Sequence, residues 1–132
     1  MGFDRKFLVS GLAYAVLGLA FGIYMGMAQD HSQLVTHAHI LLIGFAISVV
    51  YGVIHKLWLT GVRPGLATSQ FVLHHAGALI MLASLFLLSG QFVPEETIGP
   101  VLGLSSIAVL LGMLLMLFMV IRAPAGKGAM LN

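Results

Sequence analysis

A chain of 132 residues with 60% apolar and only 8% charged side chains cannot clothe a globule in polar surface, since soluble domains carry roughly 25% charge. The lack of cysteine excludes disulfides, iron–sulfur ligation and thiolate zinc sites together. A pI near 9.3 does not imply nucleic acid, because the six basic residues are scattered and form no patch.

In chain order, four stretches free of Asp, Glu, Lys and Arg follow one another: 7–28, 36–55, 66–89 and 98–121. Each holds about 20 residues or more, enough to cross a hydrocarbon layer of roughly 30 Å as a helix. Lipid leaves the backbone only helix or closed barrel, and the absence of alternating polarity selects helix. The first stretch follows Arg5 and Lys6 and ends in Gly26-Met27-Ala28, as a secretory leader does. It is longer than a leader's apolar core of roughly 7–15 residues and is expected to be a retained span. Turn chemistry separates the spans: Asp30-His31-Ser32, Arg63-Pro64-Gly65 and Pro94-Glu95-Glu96. Thr36 is expected to cap the second helix, and Pro100 to sit in the first turn of the fourth. The expectation is an all-α membrane protein with one four-helix transmembrane domain over 1–122. Residues 123–132 are expected to form a flexible tail.

The charges orient it. Arg5, Lys6, Lys56, Arg63, Arg122 and Lys127 fall in the N-terminus, the second loop and the C-terminus, which four spans place on one side. Asp30, Glu95 and Glu96 fall on the other. By the positive-inside rule both termini are cytoplasmic. Gly18, Gly22 and Gly26 recur every fourth residue, as do Gly44, Ser48 and Gly52. Such rows allow close helix approach in lipid, within the four-helix unit or toward another copy.

Six histidines carry the remaining chemistry: His31, His37, His39, His55, His74 and His75. An ionisable side chain in a span is a functional candidate by default. Without carboxylates among them a proton relay is disfavoured, whereas neutral imidazole ligates iron, copper and zinc. At 1.5 Å per residue His37 and His39 lie within about 6 Å of the outer boundary. His55 lies about 24 Å deeper than His39, and His74 differs from His39 in depth by about 15 Å. Two levels result: an outer pair, and an inner group of His55 with His74 or His75. Positions i and i+2 point about 200° apart on a helix. His37 and His39 therefore suit a helix that gives a ligand to each of two adjoining sites, the second completed by a neighbouring subunit. His74 and His75, about 100° apart, allow one ring inward and one at an interface.

The stretch "THAHILLIGFAISVVYGVIHKLWLTG" followed by "SQFVLHHAGALIML" resembles the catalytic subunit of heme–copper oxidases and nitric oxide reductases. The similarity covers roughly residues 36–81. It rests on His37-x-His39, Gly44, the Gly52-x-x-His55 ending and Gly77. In that family three arcs of four helices surround hemes, and the His-x-His residues ligate two different hemes. The resemblance implies that this chain, a single arc, assembles as a homotrimer in the bacterial inner (plasma) membrane. It further implies heme b, held by His37 of one subunit and His39 of the next, with a redox partner or quinol. His74 and His75 are further heme-site candidates. The interval from His39 to Gly44 is one residue shorter than the family's. No tyrosine stands four residues from a ligand histidine, and no span holds an acidic residue, so oxygen reduction coupled to pumping is not implied. Outer arginines for heme propionates are also lacking, leaving water, Gln29, Gln33 or backbone amides.

Two other readings stand beside a heme protein of electron transfer, gas sensing or oxidase-related chemistry. Met25, Met27, His31, His37 and His39 cluster at the outer ends of the first two spans, and thioether with imidazole suits copper. His31, His37, His39 and His55 are the metal-ligand candidates. Alternatively, the histidines only bond across helices in a structural or assembly subunit. With no nucleophile–base pair, phosphate loop or paired carboxylates, any chemistry must come from a cofactor. With no charged residue at midplane, a transporter is disfavoured.

Overall fold

The computed structural model describes residues 1–124, and the part of the expected tail at 125–132 lies outside them. Helix α1 spans Phe3–Ala28; α2 spans Leu34–His39 and continues unbroken through a π-helical segment, Ile40–Ala46, into α3, Ile47–Leu57. Helices α4 (Pro64–Ser89) and α5 (Glu95–Arg122) follow. With α2–α3 counted as one rod, four helices are long and apolar enough to cross a membrane. This is the architecture of a multi-pass membrane protein. The large side chains left exposed along the rods, among them Val16, Leu19, Ile23, Leu104, Leu110 and Ile121, are compatible with contact to lipid.

Each rod outruns its charge-free stretch by a few residues, because charged residues at helix ends stay within reach of water. Asp4 and Glu95-Glu96 stand in first turns and Arg122 in a last turn, each complementing the helix dipole. Helix α1 ends at Gln29, whose left-handed φ of 53° turns the next N–H, that of Asp30, back to Met25 O at 3.3 Å. Pro64 opens α4. Two expectations are corrected. Pro100 lies inside α5, because Pro94 caps the helix and Glu95 begins it; near an exposed end the carbonyl it leaves unbonded is met by water. Thr36 does not cap α2, which starts two residues earlier; its Oγ1 donates to Gln33 Oε1 at 2.7 Å.

The small-residue rows interlock within the chain. A Cβ at Gly52 would stand 2.9 Å from Asp4 O, so α1 and α3 meet backbone to backbone. Gly44 makes room for Tyr14, whose ring a Cβ there would meet at 2.6 Å, and Gly22 makes room for His37. Helix α5 lies against α4, where Gly77 approaches the Val109 backbone and Gly112 that of His74. Two apolar clusters fill the interior. At the basic end Phe7, Tyr51, Leu59, Met116 and Met119 bring all four rods together. Toward the acidic end Tyr14, Ile40 and Leu82, with Phe21 and Phe45, join α1, the π-helical segment and α4.

Candidate functional site

The inner histidines gather around one phenylalanine. The Phe7 ring centre lies 5.5 Å from that of His55, 5.9 Å from His74 and 5.4 Å from His75. Phe3 stacks on His55 at 5.6 Å, Phe71 meets His75 edge-on at 4.4 Å, and Tyr51 meets His74 at 5.0 Å. His74 is wholly enclosed, with 0% of its surface exposed, and shares a 2.9 Å hydrogen bond between Nε2 and Ser48 Oγ. Its Nδ1 is buried without a partner, as is His55 Nε2. The Ser10 hydroxyl donates to Phe7 O at 3.1 Å, a carbonyl that can only accept. The His75 Nε2–H therefore donates to Ser10 Oγ, at 3.0 Å, leaving Nδ1 as an acceptor. His75 also borders a cavity of about 390 Å³ between α1 and α4. An adjoining cavity of about 430 Å³ continues from it along Tyr14, Leu17 and Leu79 toward Phe86.

The outer pair is built differently. Gln33 Nε2 donates to Phe86 O at 2.9 Å, and Thr36 grips the same side-chain amide, so the turn bearing both histidines is pinned to α4. His37 leans onto α1 at Gly22, where a Cβ would meet its Cε1 at 2.8 Å, and its Nδ1 is buried without a partner. His39 Nδ1 lies 2.8 Å from Val35 O, one turn back. A carbonyl only accepts, so that nitrogen carries the proton and Nε2 keeps its lone pair. Metal-ligating histidines are commonly held in the same way, the other ring nitrogen fixed by a carbonyl or carboxylate. The π-helical segment begins directly after His39, and its wide hydrogen bond runs from Ile47 N–H to Leu42 O. Such bulges recur at functional sites.

The remaining candidates do not join either group. His31 is exposed in the first loop, beside an Asp30 whose Oδ1 accepts from Ser32 N–H at 3.0 Å; that bond holds the Asp30 carboxyl below its ordinary pKa. Met25 is buried at 4% exposure whereas Met27 is open at 82%, so the two thioethers do not converge. Among the described residues no three His, Asp or Glu side chains stand close enough to hold one metal ion. Gln29 and Gln33, expected near propionates, are both engaged, Gln29 with Gly26 O. The sequence reading missed Ser10 and Ser48 as imidazole partners. The signal is a hydroxyl inside the charge-free run; Ser48 stands in a small-residue row, and Ser10 enters no motif. No protein-family model, curated protein or solved structure matches this chain.

Proposed function

We propose that the protein is a membrane-embedded b-type heme-binding protein, acting in electron transfer, gas sensing or oxidase-related redox chemistry. We further propose that its heme sites are completed where copies of the chain adjoin, in a homotrimer by the resemblance given above. The observation that carries this reading is the His39 ring: its tautomer is locked by Val35 O, and its Nε2 is left with a lone pair.

The residues fit such a group across chains and not within one. His37 and His39 leave their helix on opposite sides, so one chain supplies two half-sites. His37 contributes an orphaned buried nitrogen, which costs about 1–3 kcal/mol unless something meets it. Heme b, when bound, supplies one-electron iron chemistry and an affinity for diatomic gases. The chain itself orients the ligand rings. Val35 O sets the His39 tautomer, Gly22 admits the His37 ring, and Gln33 with Thr36 holds the ligand-bearing turn against α4. His74, closed on every side and bonded to Ser48, has the role of a cross-helix link in this reading. Electrons would come from a membrane quinol or a redox partner at the same bacterial inner membrane.

The test is the absorbance of oxidised and reduced protein, with iron and copper counted per chain and particle mass measured by light scattering. The expected result is a Soret band, iron without copper, and a mass of three chains. His39→Ala and His37→Ala should each abolish the band while helical content persists. A folded, colourless wild-type protein that takes up no heme when supplied would overturn the proposal.

A further inference from the structure

At the basic end, the loop before α4 and the end of α5 enclose a cavity of about 620 Å³. Arg63 and Arg122 both line it, and its remaining walls include Val62, Leu66, Phe118 and Met119. Arg122 lies over the Phe118 ring at 5.4 Å. The only ion pair among the described residues, Lys56 with Asp4 at 3.8 Å, involves neither arginine. The other acidic residues, Asp30, Glu95 and Glu96, belong to the opposite end of the rods. Two cations thus share an apolar-walled recess, and among the described residues neither has an ion-pair partner. They stand where α4 begins and α5 ends, at the level where a spanning helix leaves hydrocarbon for headgroups.

We infer that this recess binds an anionic phospholipid, its phosphate between Arg63 and Arg122 and the upper part of an acyl chain along Leu66, Phe118 and Met119. Guanidinium is suited to phosphate because its planar fork offers paired N–H donors to two oxygens. Basic pockets between spanning helices on the cytoplasmic side are where such headgroups are held. Free phosphate shares the headgroup chemistry, but it has no use for the apolar walls. The inference stands apart from the heme reading, since it uses neither His37 nor His39.

The test uses the full chain in neutral-detergent micelles at 0.15 M salt, titrated with phosphatidylglycerol and, in parallel, with phosphatidylcholine. Bound lipid is counted by native mass spectrometry. One phosphatidylglycerol should bind per chain ahead of phosphatidylcholine, and R63Q/R122Q should weaken it about tenfold or more. R63K/R122K should restore part of the loss, since charge returns without the fork. R5Q/K6Q removes equal charge at the same end and should change binding less than about twofold at this salt. Equal retention of the two lipids, or an equal loss in R5Q/K6Q, overturns the inference by reducing it to bulk charge. Displacement of the lipid by equimolar inorganic phosphate overturns the lipid assignment. Helical content and melting of R63Q/R122Q, measured alongside, must match wild type for its loss of lipid to count in favour.

Discussion

The outer and inner histidines share one side-chain chemistry and differ in what answers it. At the inner level His74 and His75 each meet a serine hydroxyl from another helix and are ringed by Phe7, Phe71 and Tyr51. At the outer level His39 is answered only by its own helix and His37 by no hydroxyl; a buried nitrogen without a partner occurs at both levels, in His37 as in His55 and His74. An imidazole bonded across helices ties rods together in a solvent that offers no hydrophobic drive for doing so. An imidazole fixed by its own backbone keeps its other nitrogen as an acceptor, which is what the proposed ligation uses. The comparison assigns cohesion to one level and proposes ligation for the other.

The sharpest way to break it is to exchange the two losses. His39→Ala should remove the Soret band and leave the detergent melting curve near wild type. His74→Ala should keep the band and lose about 2–4 kcal/mol of unfolding free energy, since it empties a fully enclosed site and strands Ser48. If both variants lose heme and stability together, the division into two levels fails. Next in size is Gly44→Val, between the levels. Its new side chain would drive into the Tyr14 ring and should cost about 1–3 kcal/mol, read from the same unfolding curve. Ser48→Ala is smaller, about 1 kcal/mol, and a double-mutant cycle with His74→Ala should recover that coupling. Ser10→Ala should cost less than Ser48→Ala, because His75 borders an open cavity. The smallest effect belongs to Asp30. Its folded-state pKa is lowered by the Ser32 N–H, so its contribution is present above the unfolded pKa and is lost as pH falls through the folded value. Asp30→Ala should flatten the acid limb of a melting-temperature titration by slightly lowering the neutral-pH plateau and leaving the acid end unchanged.

The sequence makes the rods legible because lipid imposes a length and forbids charge, and both show directly in composition. It also makes legible the two depths of histidine, which need only the helical rise. The partners of those histidines were hidden, since which serine meets which ring depends on how rods rotate against each other. Ser48 illustrates this: it occupies a small-residue row that packs as expected, and it is also the hydroxyl bonded to His74. Helix ends were misplaced where a residue had two uses. Thr36 bonds a side chain and not its own helix start, and Pro100 is tolerated one turn inside an exposed end. The wide turn at Ile40–Ala46 had no signal, for Gly44 within a bulky run reads equally as a packing notch.

That wide turn has a mechanical consequence. A π-helical turn closes its hydrogen bond over five residues where an α-helical turn uses four, so the segment carries slack within a continuous rod. Removing a single residue between 40 and 46 would take up that slack, turning the segment α-helical while the histidine-bearing end keeps its facing relative to α3. The seam between α1 and α3, from Gly52 to Ser48, would keep its register. The rod therefore holds one residue in reserve: a loss within 40–46 can be absorbed there, leaving both of its ends seated on their own chain.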